Sequence, residues 1–341
     1  MSVEVRRVDD AEEWDEYVEA APAATFFHRA EVLELQAEHA GATLYPLAGF
    51  KGEEPVGIFP LFSLRKGPVA GIFSPPPYLL VTYLGPVLMN HGKLSRRKAE
   101  RRHLALIEGC LERVGDEVDP WFTQITTTVG YGDVRPFKWG GYEVIPQYTY
   151  HVDLGSDGVG PLDRFSADAR RNVTADHEEE YVIEEGGVDA IDRIVEQVER
   201  RYRDQGEQVS MPGPFVRAVG DGRFDGSVRA YTCRVDGEHA SGIVTVEHGD
   251  VVDRWVGGVK PDVETDLPIN DLLDWEITER AMARGVTRYD LVGAGNHRIN
   301  RYKAKFNPEL RTFYRVQSGS RVVGALVNTY RKLSGSKWLG L

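Results

Sequence analysis

The stretch RYDLVGAGNHRINRYKAKFNPEL, residues 288–310, decides how this chain is read. It opens as a β-patterned run ending at Asp290, passes through a Gly-containing loop, and enters a short basic segment predicted as a helix near Ile299–Phe306. The chain has only 10 lysines against 31 arginines, so Lys303 and Lys305, two positions apart beside Arg298 and Arg301, single the segment out. On residue chemistry alone the cluster fits a phosphate-binding surface and a solvated helix face equally well.

Upstream, RWVGGVKP (254–261) reads as a strand ending at Gly257-Gly258, where missing side chains let a ligand or another backbone come close. Trp255 reads as core. DLPINDLLDWEI (266–277) opens a helix over Ile269–Arg284, with Asp266 or Asn270 as candidate cap and N-terminal amides suited to phosphate. The intervening PDVETDLPIN (261–270) carries three acids that repel phosphate unless they point away.

The rest of the chain is patterned in the same mixed way. Strands are expected at Val3–Val8, Thr43–Phe50, Pro55–Arg65, Trp121–Val129, Val144–Leu154, Val228–Val235, Ala240–Glu247, Val251–Val256 and Arg311–Gln317. Helices are expected at Ala11–Ala20 with Asp9 or Asp10 as cap, Arg29–His39, Ser95–Val114, Leu162–Glu180 and Val188–Gln205. A basic amphipathic tail, Arg321–Leu333, closes the sequence, suited to docking on the second domain or to contact with anionic lipid. GSDGVGP (155–161) is the best linker, giving domains over 1–155 and 156–341.

Two internal echoes suggest duplication: Gly52-Glu53…Gly57-Ile58 returns as Gly237-Glu238…Gly242-Ile243, and Arg135-Pro136-Phe137-Lys138 returns as Asn300-Arg301-Tyr302-Lys303.

Composition bounds the function. The 341 residues include 53 acids against 41 bases, a net charge of −12, with 36 Gly and 18 Pro, ordinary globular usage that excludes collagen-like and wholly disordered chains. No apolar run approaches a membrane span and the N-terminus is charged, so a cytoplasmic location is expected. An acidic, lysine-poor surface suits concentrated salt, where short-range screening removes carboxylate repulsion. It also makes general nucleic-acid binding unfavourable unless the bases converge. Cys110 and Cys233 lie far apart without metal-ligand spacing, so they read as core thiols; neither a disulfide framework nor a metal site is expected. There is no G-x-S-x-G elbow, Walker loop or H-E-x-x-H. Acyl transfer to an amine needs none of these, only a bound activated donor, a hydrogen-bond donor for the nascent oxyanion, and a route out for the amine proton.

Residues 288–310 resemble the C-terminal motif of the FemAB-like acyltransferases, a strand ending in Asp, a Gly-containing loop and a Y-K-x-x-F element. Phe165–Glu179 is similar to that family's Arg-rich helix. Ala24–Leu35 resembles its F-F opening, with Val32 near where an aromatic is frequent, and Gly52–Phe62 resembles the hairpin that follows. The order is consistent over residues 24–315. The resemblance implies an α/β (α+β) protein of two tandem GCN5-related N-acetyltransferase (GNAT) domains, each a mixed, mostly antiparallel splayed sheet flanked by helices. It further implies transfer of an acyl or aminoacyl group from a thioester or an aminoacyl-tRNA to an amine. The long coiled-coil insertion of some tRNA-dependent members is missing, and PDVETDLPIN (261–270) stands in the place of the Q/R-x-x-G-x-G/A pyrophosphate loop of ordinary acetyltransferases.

On this reading Lys303 stabilises the transfer intermediate or donor phosphates, while His297, Asp290 or a water chain takes the amine proton. Arg170, Arg171, Trp255, Gly257, Gly258, Asn270, Arg298, Arg301, Tyr302 and Lys305 line the donor or acceptor site, with Tyr302 packed inward and Lys303 turned to the cleft. His28 reads as a packing residue. No tightly bound cofactor is expected, acyl-CoA, acetyl-CoA first, being a co-substrate. The acceptor class is a small or lipid-linked amine such as an amino sugar or surface-glycan precursor. An aminoacyl-tRNA-dependent transferase and a non-catalytic binding module are the alternatives.

Overall fold

The computed structural model describes residues 3–155, 158–204, 212–224 and 226–318. The expected tail, Arg321–Leu333, lies outside them. Elements run in the order β1 (Glu4–Arg7), α1 (Ala11–Ala20), α2 (Ala30–Ala40), β2 (Thr43–Lys51), β3 (Glu54–Lys66), β4 (Val69–Ser74), β5 (Val87–Leu88), α3 (Arg96–Val118), β6 (Phe122–Thr126), α4 (Arg135–Trp139) and β7 (Glu143–Asp153). There follow α5 (Pro161–Arg164), α6 (Ala167–Thr174), β8 (Tyr181–Gly186), α7 (Val188–Asp204), α8 (Gly213–Val219), β9 (Val228–Val235), β10 (Glu238–His248), β11 (Val251–Gly257), α9 (Ile269–Ala283), β12 (Arg288–Asp290), α10 (His297–Lys303) and β13 (Glu309–Ser318).

The chain condenses into two compact units. The first holds residues up to Gln147 and the part of β13 from Thr312; the second holds Tyr148–Arg311. In the first the strand order is β1-β2-β3-β4-β6-β13, with β5 added beside β3; in the second it is β7-β12-β11-β10-β9-β8. Neighbours are antiparallel except for one parallel pair in each, β4 with β6 and β11 with β12. Both follow one plan of strand, two helices, a three-strand meander, a helix, a parallel strand, a short helix and a last strand. The last strands are exchanged. β7 contributes His151–Asp153 to β12, and β13 contributes Arg315–Ser318 to β6.

Local sequence explains most of these elements. Asp10 caps α1 by accepting the Glu13 amide at 2.8 Å, and Trp14 and Val18, one turn apart, bury the inner face. α3 buries Leu106, Ile107, Cys110, Leu111 and Val114 at three- and four-residue spacing; α7 does the same with Ile191, Ile194, Val195 and Val198. Both Gly-Glu turns close the expected hairpins, β2–β3 and β9–β10. The echoed glycines lie under helices. A Cβ on Gly57 would meet Leu106 Cδ2 at 2.9 Å, and one on Gly242 would meet Ile194 Cγ1 at 2.6 Å. The second echo falls on α4 and α10, which hold the same place in the shared plan. Both cysteines are fully buried, and burial pushes the Cys233 thiol up to about 12.

Some expected elements differ. The single helix over Leu162–Glu180 is two short helices: the first ends at Arg164 with extended Phe165 after it, and Ser166 caps the next by accepting the Ala169 amide. Strands β4, β5 and β8 and helices α4 and α8 were not foreseen from the pattern. β8 alternates Tyr181 and Ile183 inward against an exposed Val182, over a run too short and too acidic to stand out. Among the described residues no helix is long and apolar enough to cross a membrane.

Candidate active site

In the second unit β11 and β12 run side by side for three residue pairs, Val251 with Arg288, Val252 with Tyr289 and Asp253 with Asp290. Then they part. β11 continues to Gly257, while the other strand ends and its chain turns at Val292 (φ 49°), a left-handed conformation costly for a β-branched residue. Neighbouring groups hold that turn: the Asp290 carboxylate accepts the Val292 amide at 2.7 Å, and the Lys303 amine donates to the carbonyls of Val292 and Gly293 at 2.7 and 2.6 Å.

Alternation along the strands puts two different networks on the two faces of this fork. On one face stand Arg254 and Tyr289, both reaching Asp274 of α9, which is 2% exposed. Its carboxylate accepts Arg254 Nε at 2.9 Å, the Tyr289 hydroxyl at 2.6 Å and the Tyr302 hydroxyl at 2.5 Å. Burial and the Asp274 charge push both phenols well above the ordinary tyrosine value. Burial opposes the charge on Arg254 most strongly, but Asp274, Tyr289 and Tyr302 together outweigh it and the guanidinium stays protonated. Lys303 is drawn down to about 8, first by burial and then by Arg254, with Asp290 and Asp274 opposing. Next to it Lys305 pairs with the buried Asp271, which also accepts Asn172 Nδ2 at 2.6 Å. The Lys305 amine lies 4.3 Å from the Tyr302 ring centroid.

On the other face Asp253, Asp290 and His151 form one rung across β11, β12 and β7. Asp290 Oδ1 accepts the Thr149 hydroxyl at 2.6 Å as well as the Val292 amide, and Oδ2 meets His151 Nε2 at 3.1 Å. The Gly293 amide donates to Thr149 Oγ1 at 2.9 Å. Burial alone would raise Asp290, but His151 and the hydrogen bonds from Thr149 and Val292 bring it below the ordinary carboxylate value. Asp253 goes the other way, pushed well up by burial and by the Asp290 charge, so the pair carries one negative charge rather than two.

The expected site residues therefore separate. Asp290, Tyr302, Lys303 and Lys305 come together at the fork. Tyr302 and Lys303 both point inward; the expected divergence fails because one finds Asp274 and the other two loop carbonyls. Trp255 is core, 6.0 Å edge-on from Phe215. A Cβ on Gly257 (φ 107°) would lie 2.2 Å from the Gly242 carbonyl oxygen, and Gly258 leaves room for the Arg254 guanidinium. Asn270 donates to the Val259 carbonyl at 3.5 Å, but Pro268 occupies the cap position of α9, so neither Asp266 nor Asn270 caps it. Of the acids before α9, Asp262 pairs with Arg200. His297, Arg298 and Arg301 are exposed on α10, as are Arg170 and Arg171 on α6, where Arg170 donates to the carbonyls of Asp163 and Phe165.

Arg254, Asp274, Tyr289, Thr149, His151 and Asp253 were not singled out from the sequence. Asp274 had a signal, an acid inside the apolar run LLDWEI that must find a partner once buried. Among the described residues the first unit has no counterpart of these networks at the echoed positions. Phe137 stands where the echo places Tyr302, and Lys138, in the place of Lys303, is exposed.

Residues 165–304 match the family model of the acetyltransferase (GNAT) domain. No curated protein matches the chain by sequence. Solved structures do. The crystal structure of FemX is 12% identical, with a TM-score of 0.71, covering 91% of this chain and 96% of its own. The C-terminal domain of a putative lysylphosphatidylglycerol synthetase from Agrobacterium fabrum is 12% identical, with a TM-score of 0.57 over 95% and 96% of the two chains. A tandem GNAT protein from the clavulanic acid biosynthesis pathway is 17% identical, with a TM-score of 0.50 over 92% and 98%. Residues 165–304 thus match the GNAT acetyltransferase domain model, and the chain as a whole has the fold of FemX and of the tandem GNAT protein.

Proposed function

We propose that the protein is a cytoplasmic N-acyltransferase that moves the acyl group of an acyl-CoA, acetyl-CoA first, to an amino group of an amino sugar or surface-glycan precursor. The observation that carries this reading is the parting of β11 and β12 after the Asp253–Asp290 rung. Beyond it the edge of β11 that faced β12 no longer pairs with that strand, and a thioester carbonyl placed there would meet the strand's backbone. Fixed amides aimed at a developing oxyanion stabilise the tetrahedral intermediate without reorganising. Lys303 supports the opposite wall by holding Val292 and Gly293. The exposed Arg298 and Arg301, with Arg170 and Arg171, supply positive charge for donor or acceptor phosphates.

A second reading has its own support. FemX and the C-terminal domain of a putative lysylphosphatidylglycerol synthetase share this fold over nearly the whole of each matched chain, which favours an aminoacyl donor carried by tRNA. Calorimetric titration in molar KCl separates the two. The expected result is micromolar binding of acetyl-CoA or a longer acyl-CoA, lost in Lys303→Ala. Binding of charged tRNA with none of any thioester supports the second reading, and binding of neither leaves a non-catalytic module.

A further inference from the structure

Resting on the acyl-transfer reading, we propose that His151 is the base that takes the proton from the acceptor amine, with Asp290 as its positioning partner. The argument begins with location. His151 belongs to the last rung before β11 and β12 separate, on the strand across β12 from β11, and its ring meets the Asp290 carboxylate that ends that rung. It is 7% exposed.

Hydrogen bonding then fixes the tautomer. Ionised Asp290 can only accept, so the contact of 3.1 Å puts the proton on His151 Nε2 and leaves the lone pair on Nδ1. Among the described residues Nδ1 has no hydrogen-bond partner. Asp290 is itself immobile, its other oxygen taken by the Thr149 hydroxyl and the Val292 amide, and Thr149 is anchored by the Gly293 amide. A carboxylate held at one oxygen and orienting an imidazole with the other is an arrangement suited to a base.

Among the described residues the charged group in contact with His151 is Asp290 from β12; Asp253 from β11 lies on the same rung beyond Asp290, and Lys303 of α10 acts on Asp290 from beyond the turn. Asp253 stays neutral beside the Asp290 carboxylate, so the imidazolium formed in the reaction meets one full negative charge. His297 has no such support; it is exposed at the first turn of α10. The last rung of the first unit holds Ser74, Ile125 and Val316, with neither acid nor base. The proton-handling rung therefore belongs to the second unit alone.

The step balances. The neutral amine nitrogen bonds to the acyl carbon, and its proton passes to His151 Nδ1. The carbon–sulfur bond breaks, the thiolate leaves with the electron pair, and it recovers the proton from the imidazolium. With an ester donor the leaving oxygen does the same.

The test uses the full chain with acetyl-CoA as donor, glucosamine as probe amine and thiol release as the readout. His151→Gln is expected to lower kcat about 10²–10³-fold, the usual weight of a general base. Its donor Kd stays within twofold, and the acid limb of the kcat/KM–pH profile disappears. His151→Ala is expected to regain turnover with added imidazole, which a merely structural role would not allow. A kcat within threefold of the parent, with the acid limb intact, overturns the proposal. So does a weakened donor Kd without imidazole rescue, which would make His151 structural. If the parent neither binds nor cleaves acetyl-CoA or an aminoacyl ester, the acyl-transfer reading falls, and this assignment with it.

Discussion

Replacing Asp274 with alanine is the most severe single test of the fork. It removes the carboxylate that accepts Arg254, Tyr289 and Tyr302 together, in a position 2% exposed. Removing one member of a buried ion pair costs about 3–5 kcal/mol, because the other charge is left uncompensated. The two phenols lose a charged acceptor as well, worth about 1.5–3 kcal/mol each if nothing replaces it, though losses around one carboxylate do not add. A total of about 4–6 kcal/mol follows, a large share of the roughly 5–15 kcal/mol that holds a typical domain. Urea titration at constant KCl measures it, since urea leaves the ionic strength unchanged. At a slope of about 2 kcal/mol per molar, the midpoint of the second unit falls by about 2 M or more. The apolar pair Arg254→Met with Asp274→Leu is expected to recover much of the loss, because no buried charge remains unpaired. Asp9→Ala, breaking an exposed pair with Arg7 at 2.5 Å, is expected to cost less than about 1 kcal/mol. A drop below about 1 kcal/mol for Asp274→Ala would refute the claim that this network is a buried, mutually dependent unit.

Two further expectations concern the same region. The Lys303 amine has a folded value of about 8 against 10.5 when unfolded, so between those values the unfolded chain binds more protons and stability rises with pH. The difference in urea midpoint between the parent and Lys303→Met is expected to shift in the parent's favour from pH 8 to 10; a pH-independent difference would contradict it. Gly257→Ala places a methyl 2.2 Å from the Gly242 carbonyl oxygen at a φ of 107° and is expected to lower the melting temperature of the second unit by several degrees. An unchanged melting temperature would show that the strand end yields.

The fold was readable where local pattern and local structure coincide. The spacing in α3 and α7, the two Gly-Glu hairpins and the strand ending at Asp290 are short-range signals, and each element formed as expected. The site was readable only in part. Lys303 stood out by rarity and Asp290 by its place at a strand end, but their partners come from positions distant in sequence. Thr149 and His151 lie 141 and 139 residues from Asp290, and nothing near them announces which strand they join. Burial also changed what the readable residues do. Lys303 reads as a free cation, yet in place it is a buried amine, drawn down to about 8, bracing two carbonyls.

The exchanged last strands set a clock on synthesis. β6 receives its outer neighbour only from residues beyond Thr312, roughly 165 residues after Gln147 has left the ribosome. At about 5–20 residues per second that interval is on the order of 10–30 seconds. Throughout it the first unit presents β6 with one side unpaired, an open template for any extended chain nearby. A nascent chain arrested between the two units is thus an incomplete sheet rather than a finished first domain.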